Sequence, residues 1–348
     1  MSTPLQLGSN SNASGELADE LILSVRGLTK LFPIQSRGFL RRRIGTIRAV
    51  DDVNLDLRPG ETLGLVGESG SGKTTAARAL LRALAPTSGT VLFRSRSGVV
   101  DLARLPERSL KPLRQEMQMI FQDPYSSLNP RMTVAEIVGE PLVIHRLARG
   151  SELDDRVVEI LRKVGLRPEH RERYPHAFSG GQRQRIGIAR ALIMRPGFIV
   201  ADEAVSALDV SVQAQVLNLL KDLQEEFRLT YLFVAHNLDV VRHFCDRVAV
   251  MYAGRLVEIG PAQQVFDDPL HPYTKALLAS VPWPDPDRRM KFTVAGEIPD
   301  PSNLPSGCAF HPRCAECFAQ CRSERPLLSA PQGGLGRLVA CFRSESGK

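Results

Sequence analysis

Thr62-Leu63-Gly64-Leu65-Val66-Gly67-Glu68-Ser69-Gly70-Ser71-Gly72-Lys73-Thr74-Thr75 decides the fold. Residues 62–66 form a short apolar strand that runs directly into glycines. Gly67 to Thr74 fits G-x-x-x-x-G-K-[ST] in full, and the alanine-rich stretch 75–84 follows as a helix. Glycines let the backbone curl until successive N–H groups converge on an anion. The helix N-terminus adds partial positive charge at the same place. Lys73 then puts an ammonium on the β- and γ-phosphates of a nucleotide, and the Thr74 hydroxyl serves a Mg²⁺ ion. The loop alone does not separate a kinase, a GTPase, a helicase and a transporter motor.

Two further stretches narrow it. Phe198-Ile199-Val200-Ala201-Asp202-Glu203 is an apolar strand ending in two carboxylates. Adjacent residues at a strand end point to opposite sides, so the two acids can do different work. Asp202 suits Mg²⁺, and Glu203 suits a base that takes a proton from an attacking water. Phe178-Ser179-Gly180-Gly181-Gln182 precedes a predicted helix, residues 183–194, and makes a second phosphate-binding helix end. One chain thus carries two γ-phosphate sites and one nucleotide cradle. The economical resolution is that Ser179, Gly180, Gly181 and Gln182 serve a nucleotide held by another subunit.

Strands alternating with helices outward from the loop predict a three-layer α/β fold with a largely parallel sheet. Strands are expected at 21–25, 51–57, 198–201 and 230–235, and a hairpin at 248–259 turning on Ala253-Gly254. Helices are expected at 134–139, 154–164, 184–194 and 212–227. Residues 1–20 read as a disordered tail, and Arg37, Arg41, Arg42, Arg43 and Arg48 as a basic loop, solvated or facing anionic lipid or an acidic partner.

The order of phosphate loop, Gln122, Phe178 to Gln182, Asp202-Glu203, Ser206-Ala207-Leu208-Asp209 and His236 resembles the ABC ATPase family over about residues 21–260. That resemblance implies a P-loop NTPase fold with an antiparallel β subdomain and a helical subdomain at about 123–182. It implies that Gly67, Ser69, Gly70, Ser71, Gly72, Lys73, Thr74 and Thr75 cradle ATP and that Mg²⁺ sits on Thr74, Gln122 and Asp202. Gln122 would also touch the attacking water and move with a membrane partner, His236 would contact the γ-phosphate, and Asp209 would sit at a dimer seam. Phe32 resembles the aromatic that stacks on adenine, with a plain core role as the alternative. Phe178, Ala204 and Asn237 depart from the commonest pattern of Leu, Pro and Asp, and none of them removes a catalytic atom.

Phe121-Gln122-Asp123-Pro124-Tyr125-Ser126-Ser127-Leu128-Asn129-Pro130 and His271-Pro272-Tyr273-Thr274-Lys275-Ala276-Leu277-Leu278 are similar to the ATPase subunits of oligopeptide, dipeptide and nickel importers. The tail, from Gly307-Cys308 through Cys314 and Cys321 to Cys341, matches the same group. The resemblance implies an ATPase domain at 21–265, an extension at 266–348 and a motor for di- or oligopeptide import. Its implied partners are a second, different ATPase subunit, two permeases and, indirectly, an extracytoplasmic binding protein. A nickel chelate or a sugar is an alternative cargo. A soluble ABC ATPase on nucleic acid and an exporter motor are rivals. They are disfavoured by the single cassette, the absent heptad run and the tail.

Composition agrees. A formal charge of +7 is ordinary for a phosphate binder and calls for no nucleic acid. No stretch approaches the ~20 apolar residues of a membrane span, so the chain is expected on the cytoplasmic face of the inner membrane, held by its partners. Of six cysteines, five follow residue 307. In a reducing compartment that clustering suggests metal, and the resemblance to the importer group picks out Cys308, Cys314, Cys321 and Cys341, with Cys317 as alternate, for a [4Fe–4S] cluster or Zn²⁺, or else reduced structural thiols.

Overall fold

The computed structural model describes residues 17–35, 43–123, 125–280, 296–297, 299–331 and 336–346. Residues 1–16 of the expected tail lie outside these, as do Arg37, Arg41, Arg42 and Pro124. A central sheet is built from β3 (Thr62–Val66), β6 (Met117–Ile120), β7 (Phe198–Asp202), β8 (Thr230–Val234), β9 (Arg247–Tyr252), β10 (Arg255–Pro261) and β11 (Leu338–Val339). Their order is β11-β10-β9-β3-β8-β7-β6. β9, β3, β8, β7 and β6 run parallel, and β10 and β11 add antiparallel at one edge. A second, antiparallel sheet has the order β2-β1-β4-β5, from β1 (Leu23–Gln35), β2 (Arg43–Leu57), β4 (Ser88–Ser95) and β5 (Gly98–Asp101).

The near-continuous apolar strands follow from burial on both faces. In β7, Phe198 and Val200 pack into the core under the antiparallel sheet, while Ile199 and Ala201 pack into the core under the helices. β8 divides the same way, Leu232 and Val234 against Tyr231 and Phe233. The α-helices among the described residues are α1 (Lys73–Leu80), α2 (Glu107–Leu113), α3 (Val134–Ile144), α4 (Ser151–Lys163), α5 (Gly180–Leu192), α6 (Val210–Phe227), α7 (Leu238–Phe244), α8 (Ala262–Asp267), α9 (Pro272–Ala279), α10 (Ala319–Ser323) and α11 (Phe342–Ser346). None of the described helices is long and apolar enough to cross a membrane.

Two differences from the sequence reading have physical causes. Arg43 and Arg48 are not in a loop. They lie on β2, which pairs with β1 through Leu31↔Arg48 and Phe32↔Ile47, so pairing with a neighbour overrides local polarity. β4, β5 and β6 were not expected, because short strands of mixed polarity carry little periodic signal. The Ala253-Gly254 turn is as read: both residues have positive φ, 47° and 83°, the geometry that closes a tight hairpin.

The iron–sulfur and zinc expectations need correction. Among the described residues no group of three or more His, Cys, Asp or Glu side chains is placed to hold a metal ion. Cys308, Cys314, Cys321 and Cys341 line one small void of about 20 Å³. Desolvation pushes the thiols of Cys308 and Cys341 upward and that of Cys314 to about 11. Cys317 donates to the Phe318 carbonyl at 3.6 Å. The cluster reads as the packed interior of the extension.

Candidate active site

Four neighbouring strands of the central sheet deliver the site from their carboxyl ends. The phosphate loop follows β3, His236 follows β8, Asp202 and Glu203 end β7, and Gln122 follows β6. Ligands of open α/β sheets sit in this crevice. Here it is a cleft of about 490 Å³ lined by Ser69, Gly70, Gly72, Lys73, Thr74, Thr75, Gln122, Glu203 and His236. Ile47, Ala49 and Pro301 complete the wall, and sequence reasoning missed all three. Phe32 lies on β1 opposite Ile47, with the Lys30 ammonium 5.0 Å from its ring centroid, and does not line the cleft. Gly67, Ser71 and Asp202 stand behind the wall.

The glycines are steric necessities. A Cβ on Gly67 would meet the Met251 carbonyl at 2.1 Å, and one on Gly72, with φ of 102°, would meet the Ala49 carbonyl at 2.1 Å. Lys73 is buried, and its Nζ donates to the carbonyls of Gly67 at 2.7 Å and Glu68 at 3.0 Å. Desolvation lowers its pKa against the pull of Glu203, Asp202 and Glu68. An ammonium held only by loop carbonyls is poised to exchange them for phosphate oxygens.

The two carboxylates do point to different partners. Asp202 is buried and accepts from Thr74 Oγ1 at 3.0 Å, with the Arg78 guanidinium at 3.9 Å. Burial holds its carboxyl above the ordinary range. The folded state therefore favours the protonated form, and this stability is lost as pH rises through the folded pKa. A cation beside Thr74 and Asp202 would relieve that penalty, which is the fit these residues offer to Mg²⁺. Asp202→Asn is accordingly expected to raise the melting midpoint of the nucleotide-free chain at neutral pH while abolishing Mg²⁺-dependent turnover. Calorimetry and an ATPase assay read the two effects, and a lowered midpoint would contradict the first.

Glu203 sits in the left-handed region, with φ of 51°. Such strain costs about 1–3 kcal/mol and collects where a side chain must be aimed. Its Oε2 accepts from Gln122 Nε2 at 2.8 Å and lies 3.3 Å from His236 Nδ1. Two neighbours therefore fix one oxygen of the carboxylate.

Ser179, Gly180, Gly181 and Gln182 lie elsewhere, and none of them lines this cleft. Ser179 caps α5: its Oγ accepts from the Gln182 N–H at 3.4 Å, and Gln182 Oε1 accepts from the Ser179 N–H at 3.1 Å. Gly181 is also packed, since its Cβ would meet Val212 Cγ1 of α6 at 2.4 Å. Gly181→Ala should cost about 1–3 kcal/mol of stability from overpacking, readable by chemical denaturation. Asp209 caps α6 beside Val210, which is 83% exposed.

A larger cavity of about 830 Å³ lies between β2, β10 and the extension. Its guanidiniums from Arg26, Arg247, Arg255, Arg325 and Arg337 are paired with Asp56, Glu61, Asp51, Asp52 and Glu258. The smaller cleft is the candidate site, because of the two it alone is lined by the phosphate loop and Glu203.

Known proteins agree with this geometry. The family model "ABC transporter" matches residues 50–206, and "Oligopeptide/dipeptide transporter, C-terminal region" matches residues 257–321. The oligopeptide transport ATP-binding protein AppF of Bacillus subtilis is 50% identical over 92% of this chain and 97% of its own. The di/tripeptide transport ATP-binding protein DppF of Pseudomonas aeruginosa is 48% identical over 94% and 98%. The structure of the ATP-binding cassette MJ0796, a dimer bound to ADP and Pi, superposes with a TM-score of 0.59 at 30% identity, covering 69% of this chain and 98% of that one. With a phosphate loop, a strand-end carboxylate pair and relatives of this similarity along nearly its whole length, the chain belongs to the ABC transporter family of ATP-binding proteins, in its oligopeptide/dipeptide transporter group.

Proposed function

We propose that this chain is the ATP-hydrolysing motor of a peptide importer and supplies half of each of two ATP sites. The observation that carries the reading is the separation of the two phosphate-binding helix ends. One opens α1 inside the cleft, and the other opens α5 outside it. A second ATPase chain that brings its own Ser179-type helix end over this cleft closes the site. The dimeric MJ0796 cassette with ADP and Pi supports that arrangement.

In the closed site Lys73 exchanges the Gly67 and Glu68 carbonyls for β- and γ-phosphate oxygens. Thr74, Gln122 and Asp202 would hold Mg²⁺, which supplies charge neutralisation on the phosphates when bound. Gln122 and His236 hold Oε2 of Glu203, and Oε1, without a hydrogen bond among the described residues, accepts the proton of the attacking water. His236 also faces the γ-phosphate, Asp209 with exposed Val210 lies at the seam, and Phe32 borders the base through Ile47.

The cassette spans 21–265, with its helical part at about 123–182, and the extension spans 266–348; the family matches cover 50–206 and 257–321. The permeases dock on the helical part, where Tyr125, Val143, Ile144 and Leu147 are exposed. The partner ATPase is a different chain, and a binding protein outside the inner membrane delivers di- or oligopeptides, as the relatives' names suggest. Reconstitution with the partner ATPase and both permeases in vesicles tests the reading. Loaded binding protein with peptide should raise ATP turnover several-fold. Stimulation by nickel chelate or sugar and not by peptide would overturn the cargo.

A further inference from the structure

The motif 271–278 and the tail have no place in the chemistry above, yet both reach the phosphate loop through Glu68. Glu68 occupies a variable position of the loop and does not line the nucleotide cleft. Its side chain faces the other way. Arg313 of the extension grips the carboxylate with both terminal nitrogens, Nη1 to Oε2 at 3.0 Å and Nη2 to Oε1 at 3.2 Å. The Glu68 backbone N–H donates to the Tyr273 hydroxyl of α9 at 2.8 Å. Its carbonyl receives Lys73 Nζ at 3.0 Å. One loop residue is therefore held at two points by the extension, Arg313 and Tyr273 of α9, and by the phosphate-binding lysine.

The holders are themselves fixed. Arg313 has a buried side chain, 7% exposed, beside the rings of Phe310 and Tyr252, and it also donates to the Tyr252 hydroxyl at 3.3 Å. Tyr273 is fully buried, its ring 4.5 Å from Tyr252 and 5.4 Å from Phe310. The start of α9 is tied to Arg337, later in the extension, through Glu258 of β10. Glu258, with no exposed surface, accepts from the N–H groups of Leu270 and His271 and pairs with Arg337 at 2.6 Å. The extension even enters the cleft: the Pro301 carbonyl accepts from the Arg48 N–H at 3.0 Å, and Pro301 forms part of the wall.

We infer that Arg313 is a positioning residue for nucleotide binding: by clamping Glu68 it holds the phosphate loop in its curled form and makes ATP affinity depend on the seating of the C-terminal extension. When ATP arrives, Lys73 leaves the Glu68 carbonyl for phosphate. The loop then keeps its curl through Arg313 and Tyr273. A bidentate guanidinium–carboxylate pair with little exposure is suited to this, because it fixes orientation as well as distance. Without it, part of the binding energy of ATP goes into ordering the loop, and KM rises while the chemical step in the loaded site is unchanged.

This inference rests on the cleft being the ATP site, and its test separates the two. ATP turnover is measured against ATP concentration on the assembled importer with wild-type chain, Arg313→Gln, Arg313→Lys and Glu68→Gln, alongside melting midpoints. KM for ATP is expected to rise about tenfold in Arg313→Gln and Glu68→Gln, with kcat within about twofold, and to recover partly in Arg313→Lys. Glu68→Gln keeps the side-chain shape and leaves no unpaired buried carboxylate, so it carries the test if Arg313→Gln fails to fold. An unmoved KM in Glu68→Gln, or lower stability and kcat at constant KM, overturns the inference. If wild-type turnover does not saturate with ATP, or its KM is unmoved when Lys73 is replaced, the reading of the cleft itself fails.

Discussion

Glu203→Gln lowers ATP turnover by about 10²–10⁴-fold and leaves ATP bound. The amide keeps the shape of the carboxylate and can still accept from Gln122 at the position of Oε2, 2.8 Å away. What it loses is the ability to take a proton from water. Its backbone, at φ of 51°, is set by the fold and not by the side-chain charge: the Glu203 N–H donates to the Val234 carbonyl at 2.9 Å. Binding contacts made by Lys73, Thr74 and the loop amides are untouched, so nucleotide affinity should persist and the closed dimer should accumulate. Single-turnover chemistry separates this from a binding defect. Undiminished turnover would remove Glu203 from the role of base and leave His236, 3.3 Å from Glu203 Oε2, as the remaining candidate.

Lys73→Ala acts one step earlier and raises the dissociation constant for ATP by about 10–100-fold, the value of a charge-assisted hydrogen bond to phosphate. The buried ammonium bonds only to backbone carbonyls among the described residues, so its removal strands no side-chain partner. Stability should change less than binding. The loss should also exceed that of Arg313→Gln, because Lys73 contacts the nucleotide and Arg313 only shapes the loop. Equilibrium binding of a fluorescent ATP analogue gives both numbers. Equal losses would mean that loop order, and not the lysine charge, dominates affinity.

Most of the cleft lining was legible because it is local. The phosphate loop reads directly, since β3, the glycines and α1 follow one another in the chain. Asp202-Glu203 reads as an acidic strand end for the same reason. The wall made by Ile47, Ala49 and Pro301 was not legible. Ile47 sits in a stretch whose arginines suggest a loop, and only pairing with β1 makes it a strand. Pro301 comes from a segment that meets β2 through a single backbone bond to Arg48. The cysteines misled in the opposite way. Clustering in sequence suggested ligands, but among the described residues no metal-binding group forms. The function of 271–278 was hidden likewise, because Tyr273 acts through the backbone of Glu68 far away in the chain.

The central claim is that each ATP site is shared between two chains, and the most direct measurement is the ATP turnover of this chain titrated with its partner ATPase. Turnover per site should be low for the chain alone and rise along a saturating curve as the partner is added. Ser179→Arg on one chain should silence the nucleotide held by the other, with melting midpoints showing that α5 still folds. Turnover per chain that stays constant at every partner concentration, and is indifferent to Ser179→Arg, would contradict the account.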